Sequence, residues 1–297
     1  SATLANYAAG FTLDAVPAAV RARATHLMLD ALGIALASTR YDFARQTLAG
    51  LVSLGDGGGE VPVIGHGLRL GLRDAAVMNG FLIHGLDFDD THPRGVIHAT
   101  TSVLPAALSV AVRQNATGTD LLAAYVLGME LTTRLSAAAK GAFHKVGFHP
   151  TGLVGTFGAA MTAAKLLGLD AGAMAHAQGI ALSLASGNLE FLQDGAGTKR
   201  LHPGWAASSG ITAAALAQHG MTGPRATYEG RFGLYASHLG ALAAECDLDS
   251  LTAGLGSVWE TLDVAIKPLP ACHFTHACAD AASALSLEWG ALQAQGA

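Results

Sequence analysis

Apolar positions recur along most of this chain at helical spacing, and strand-like alternation is scarce. Thr12-Leu-Asp-Ala-Val-Pro17 reads as an N-terminal cap with proline in the first turn. Leu27, Leu29, Leu32 and Leu36 carry that helix onward. Further helices are expected over roughly 71–85, 99–114, 119–139, 152–168, 171–186 and 204–219. Thr119-Asp120 and Asp170 stand where N-caps belong, and Gly168 and Gly220 where helices end. A Gly55–Gly59 break precedes Val61-Pro-Val-Ile64, the convincing short strand of the first half. After about Leu234 the segments shorten. Val258–Ile266 is expected to hold a strand, Lys267–His276 a loop, and His276 to about Leu292 a last helix, with a boundary near residue 266. The fold class is mainly α.

Composition sharpens this picture. Apolar residues make up 51% of the 297 and charged residues 13%, against a globular norm of about 25% charged. So little charge implies helices buried on most sides, with more apolar surface covered by a partner subunit, and a homodimer is expected. The uncharged stretches Ala171–Leu189 and Leu201–Pro224 are built from small residues, with His176, Gln178, His202, Pro203 and His219 among them. That suits close packing between helices and not a bilayer, so no membrane span is expected. No secretory signal is visible, and Cys246, Cys272 and Cys278 are too few and too late for a disulfide framework; a reducing cytoplasm is expected. A net charge of −5 without a basic cluster argues against nucleic acid.

Against this scarcity of charge, His84-Gly-Leu-Asp87-Phe-Asp89-Asp90-Thr91-His92 places three carboxylates and two histidines within nine residues. The segment reads as a site or as a helix end running into a solvated loop. Asp87, Asp89 and Asp90 as Mg²⁺ ligands would make a metal-dependent helical enzyme, but the second metal motif such enzymes need is absent. Cys272-His273 with His276 looks zinc-like and lacks a second ligand pair of suitable spacing. Gly147-Phe-His149-Pro-Thr-Gly152 sets His149 at a helix start, and His98 and His202 occupy like positions. Helix N-termini favour a bound anion. Lys199, just before a helix in a Gly-rich segment, can pair with a carboxylate or give a proton; a solvated Lys-Arg pair is the plain alternative. Thr222–Gly233 is a Gly-marked turn. Nucleophile elbow, P-loop and dinucleotide fingerprint are missing. Acid/base groups plus cationic anchors suit removal of a proton next to a carboxylate, followed by elimination, decarboxylation or reprotonation.

Six segments taken together resemble the MmgE/PrpD family: Leu29-Asp-Ala-Leu-Gly33, His84–Thr91, Gly147–Gly152, Thr198-Lys-Arg-Leu-His-Pro-Gly-Trp-Ala206, Tyr228-Glu-Gly-Arg-Phe-Gly233, and Lys267-Pro-Leu-Pro-Ala-Cys272 with His276. The resemblance implies a large all-helical domain followed by an α+β lid, in a homodimer. Residues 1–266 would be the helical domain and 267–297 the beginning of the lid, its remainder absent from this chain. It also implies a metal-independent lyase or isomerase, without cofactor, acting on a small di- or tricarboxylate by dehydration, decarboxylation or epimerisation. Family members of these kinds are 2-methylcitrate dehydratase, cis-aconitate decarboxylase and iminodisuccinate epimerase. Carried over residue by residue, it marks Asp87, Thr91, His98, His149, Lys199 and His276. In that reading Lys199 and His98 hold carboxylates, with Thr91 and His202 also binding substrate. His149 or His276 moves the proton, and Asp87 orients a histidine or serves as partner acid. His92 is the rival of His98, because the spacing before His98 varies. The other classes left open are a Mg-dependent helical enzyme using Asp87, Asp89 and Asp90, and a non-catalytic oligomeric scaffold.

Overall fold

The computed structural model describes residues 1–55 and 58–294, so residues 56–57 of the glycine break lie outside the described part. The longer helices are α1 (Ala2–Gly10), α2 (Ala18–Ser38), α3 (Asp42–Leu54), α4 (Leu72–Ile83), α5 (Thr100–Gln114), α6 (Gly118–Ala138), α7 (Gly155–Leu166), α8 (Ala171–Leu184), α9 (Leu201–Gln218) and α10 (His276–Ala294). The fold is mainly α. The expected segments from 71 to 219 appear as α4 to α9, with the 152–168 segment broken at Val154 into a turn at Pro150–Leu153 and then α7. Val61–Pro62 is a strand, paired antiparallel with Arg69–Leu70. Among the described residues no helix is long and apolar enough to cross a membrane.

Two readings of local chemistry change. Thr117, not Thr119, caps α6: its Oγ1 accepts from Asp120 N at 3.1 Å while the Asp120 carboxylate accepts from Thr117 N at 3.1 Å, a capping box. Asp170 caps α8 as expected, accepting from Ala173 N at 2.8 Å. The strand expected over Val258–Ile266 is instead a 3₁₀ turn at Glu260–Asp263, with Ala265 alone pairing across to Thr91. The cause is Glu130, buried on α6. Its carboxylate accepts from Glu260 N (3.1 Å), Thr261 N (2.9 Å) and Thr261 Oγ1 (2.7 Å), which winds the segment onto the helix.

The core lies where α9 packs between α4, α7 and α8, and α7 packs on α5 and α6. Small residues set these distances. A Cβ on Gly80 of α4 would fall 2.5 Å from Gly204 Cα, and one on Gly204 would fall 2.1 Å from the Val77 carbonyl oxygen. A Cβ on Gly210 would meet Ala160 N at 2.5 Å, so α9 also touches α7 backbone to backbone. This explains the low charge content: helices surrounded by other helices have little solvated face. α10 differs. After its buried first residue it is exposed throughout, with Leu285, Leu287 and Trp289 facing outward.

Gly204→Ala is expected to lower the unfolding free energy by about 1–3 kcal/mol, the usual range for an overpacked core, because the Val77 carbonyl cannot move aside without shifting α4. Gly50→Ala, on an exposed face of α3 with nothing within 4 Å of the new methyl, is the control and should stabilise by roughly 0.5–1 kcal/mol. Urea unfolding of both variants checks the contrast; equal destabilisation would show that backbone contact is not what sets the α4–α9 distance.

Candidate active site

Three helix starts and one helix end converge on a cavity of about 300 Å³. His84 follows the last turn of α4, His98 precedes α5, His149 precedes the Pro150–Leu153 turn, and Lys199 lies in the 3₁₀ turn leading into α9. The close α4–α9 contact is what brings the first and last of these together. Thr91, His98, His149 and Lys199 line the cavity, opposite an apolar wall that includes Val96, Leu189, Phe191 and Phe274.

Each histidine is held differently. His98 Nδ1–H donates to the Asp90 carbonyl at 2.6 Å and to Thr91 Oγ1 at 3.3 Å. A carbonyl oxygen only accepts, so Nδ1 keeps its proton and Nε2 bears the lone pair. Burial pushes the His98 ring down to about 3, against Asp89 and in concert with Lys267, His84 and Lys199. His149 is 3% exposed, and its Nδ1 faces His202 Nδ1 at 3.0 Å. Burial, with His84, His98, His202 and Lys199 nearby, holds it well below the ordinary imidazole range. His202 falls to about 4 for the same reason, burial first and then His84 and Lys199. These three rings are neutral at pH 7.

Beneath them lies a buried dyad. His84 Nδ1–H donates to Asp89 Oδ2 at 2.8 Å, and the His84 ring centroid lies 5.1 Å from that of His98 and 5.8 Å from that of His149. Burial alone would raise Asp89, but His84 and His98 outweigh it and keep the carboxyl well below the usual range. Asp87 adopts φ 51°, a left-handed conformation that aspartate tolerates. It turns its carboxylate between two ammonium groups, Lys199 Nζ at 2.6 Å and Lys267 Nζ at 2.9 Å, and Lys267 also donates to the Asp87 carbonyl at 2.7 Å. Burial raises the Asp87 carboxyl, yet the two lysines overcome it and lower it to about 2.

The expected residues therefore fall into three groups. Thr91, His98, His149 and Lys199 share the cavity. Asp87 sits behind Lys199, and its carboxylate bonds two lysines and no histidine, whereas Asp89 is the carboxylate that bonds His84. His202 backs His149 and is not among the lining residues, and neither is His276, which is buried with Nε2 against the Ala271 carbonyl at 3.2 Å. His98, expected to hold a carboxylate, has a neutral ring that keeps its Nδ1 proton on the Asp90 carbonyl and leaves the lone pair on Nε2. His92 is no rival: it is buried away from the cavity, with Nε2 on Glu260 at 2.9 Å and Nδ1 accepting from Gly95 N at 3.1 Å.

The Mg²⁺ reading fails on geometry. Asp87 turns to two lysines, Asp89 to His84, and Asp90 to Thr100, so the three carboxylates share no point in space. Among the described residues the group with ligand-like spacing is His92, Glu260 and Asp263, where Arg94 already bridges both carboxylates. His84, Lys267 and the lining residues His144 and His273 were not picked out from sequence as site residues, and Asp89 only as a candidate Mg²⁺ ligand. His84 and Asp89 stand inside the acidic cluster. Lys267 is a lone charge in an otherwise uncharged run, and its partner lies 180 positions earlier.

The profile of the MmgE/PrpD N-terminal domain matches residues 2–247. A cis-aconitate decarboxylase of Aspergillus terreus is 30% identical over 285 residues, which cover 93% of this chain and 58% of that protein. The human cis-aconitate decarboxylase is 38% identical over 226 residues, 73% of this chain and 45% of that protein. A cis-aconitate decarboxylase-like protein of Aspergillus oryzae is 29% identical over 283 residues, 92% of this chain and 58% of that protein. The chain spans a little over half the length of the fungal relatives and under half that of the human one.

Asp90 gives a pH test of the site's frame. Burial, with Asp89 nearby, raises its carboxyl to about 7 despite hydrogen bonds from Thr100. A carboxyl raised above its unfolded value of about 3.9 favours the folded state while protonated. That contribution is complete below about pH 4 and is lost as pH rises through 7. Asp90→Asn cannot lose it, so the melting temperature of the variant relative to the parent should climb between pH 5 and pH 8. A pH-independent difference would contradict the assignment.

Proposed function

This chain belongs to the MmgE/PrpD family, and on that premise we propose that it forms the helical part of a lyase that decarboxylates a small unsaturated di- or tricarboxylate of the cis-aconitate kind. The observation that carries the reading is the set of neutral imidazoles, His98 and His149, beside the Lys199 ammonium in one cavity with an apolar wall. Decarboxylation rather than dehydration or epimerisation is favoured by the names of the relatives matched over most of the chain.

The residues divide the work by their chemistry. Lys199 is an ammonium held in place by Asp87 and pairs with a substrate carboxylate. The bond from carbon to a second carboxylate breaks, its electron pair forms a new double bond, and the far carbon of the old double bond takes a proton. That proton must come from an N–H aimed into the cavity. His98 cannot supply it, because its proton is committed to the Asp90 carbonyl. His149 can, since its Nδ1 meets a partner able to donate as well as accept, which frees Nε2 to carry the proton. His98 Nε2 accepts a hydrogen bond from a substrate hydroxyl or protonated carboxyl. No step calls for a metal. The homodimer stays part of this proposal, with Leu29, Leu36 and Trp205 among the exposed apolar residues a second copy would cover.

In the full-length protein, Lys199→Ala is expected to raise KM for cis-aconitate, because an ammonium binds ground and transition states alike. His149→Gln is expected to lower kcat by about 10²–10⁴ with KM nearly unchanged. Product formed in D₂O should carry one deuterium on carbon. Equal effects of the two substitutions on kcat alone, or product without deuterium, would overturn the roles, and activity lost to a chelator would overturn the metal-free reading.

A further inference from the structure

A neutral histidine that gives up its Nε2 proton is left an imidazolate unless its Nδ1 takes a proton at the same moment, and burial disfavours a charged ring. The surroundings of His149 offer a route that avoids it. His149 and His202 meet through their Nδ1 atoms at 3.0 Å. Such a contact holds one proton between two nitrogens, and either nitrogen can own it: if His202 donates, His149 carries its proton on Nε2; if His149 donates, its Nε2 is bare. His98 has no such freedom, because the Asp90 carbonyl that takes its Nδ1–H can never give one back. Of the four imidazoles that line the cavity, His98, His144, His149 and His273, one thus has a tautomer fixed by a carbonyl and one has a tautomer that a second imidazole can exchange.

The pair is built and not incidental. The His202 ring lies against Gly152 and Gly187: a Cβ on Gly152 would come within 3.1 Å of His202 Cβ, and one on Gly187, at φ 129°, within 3.5 Å of His202 Nδ1. Phe191 sets its ring edgewise to both histidines, with centroids 5.8 Å from each. Among the described residues His202 Nε2 has no hydrogen-bond partner, and it is not one of the buried unpaired atoms. It thus keeps some contact with solvent, and His202 is not among the residues that line the cavity.

We infer that His202 is a positioning residue that makes the tautomer of His149 reversible, so that His149 gives up its Nε2 proton without becoming an imidazolate. The direction of transfer rests on the lyase reading above. His149 Nε2–H goes to the substrate carbon, the His202 Nδ1 proton crosses to His149 Nδ1, and His202 Nε2 takes a proton from water while its Nδ1 is left bare. One proton leaves, one enters, and both rings end neutral with their tautomers exchanged. After the product leaves, water entering the cavity gives a proton to His149 Nε2, His149 Nδ1–H crosses back to His202 Nδ1, and His202 Nε2–H is released to solvent, which resets both tautomers.

Nitrogen-15 NMR of histidine-labelled protein tests the pair without any turnover. At pH 7 the two rings should be neutral with complementary tautomers, one with Nδ1–H and the other with bare Nδ1, while His98 stays Nδ1–H. In His202→Phe, which keeps a flat ring between the glycines, His149 should lose its share of the Nδ1–H form. Two rings of the same tautomer, or an imidazolium on either at pH 7, would overturn the inference. The kinetic arm uses His202→Ala in the full-length protein. Turnover of cis-aconitate should fall about 100-fold with KM within about twofold, and imidazole added to the buffer should restore the rate with saturation. A raised KM with unchanged kcat would make His202 a substrate binder, and a loss that imidazole does not relieve would make it purely structural; either overturns the relay. If the parent protein turns over no such acid, the lyase reading falls, and the NMR arm still decides the pair.

Discussion

The contact on which everything else depends is the approach of two helix backbones, α4 and α9, at Gly80 and Gly204. Neither helix has a side chain to spare at that point, and the helices pass as closely as backbone atoms allow. From there the chemistry follows by position. The end of α4 delivers His84 and the acidic cluster, the start of α9 delivers Lys199 and His202, and the two arrive in hydrogen-bonding range of residues from the starts of α5 and the Pro150–Leu153 turn. A wider crossing would leave the same side chains around a solvated gap, where none of their protonation states would be displaced.

Burial then does two opposite things with the same material. It strips charge from the imidazoles His98, His149 and His202, while two buried or half-buried lysines keep the carboxylate of Asp87 ionised. The result is a site whose proton carriers are neutral and whose permanent charges are locked into ion pairs, and the apolar wall keeps the dielectric low enough for both to persist.

How much of this is legible in the sequence depends on the range of the interaction. Helices α4 to α9 are readable because their apolar spacing and small residues are local properties, and Asp170 and Gly168 mark ends where a cap and a left-handed glycine are needed. α1 escapes because it is only nine residues long, and α3 because it buries only Ala44 completely, so neither carries a long apolar stripe. The false strand near Val258 shows the opposite limit: its residues suit an extended chain, but a carboxylate 130 positions earlier captures Glu260 N. Thr91, His98, His149 and Lys199 are recognisable from their own segments. What no segment reveals is tautomer, since whether a ring nitrogen faces a carbonyl or another imidazole is a fact of three dimensions.

The shared carboxylate of Asp87 also constrains how this sequence can drift. Lys267 is buried completely, and Asp87 supplies both of its side-chain hydrogen-bond acceptors. If Lys267 is lost first, Asp87 still has Lys199 and some water; if Asp87 is lost first, an ammonium is stranded in the interior. The three positions are thus epistatic, and the order of substitution matters more than its number. As far as folding is concerned, a lineage can part with Lys267 and return, but Asp87 must not go before it.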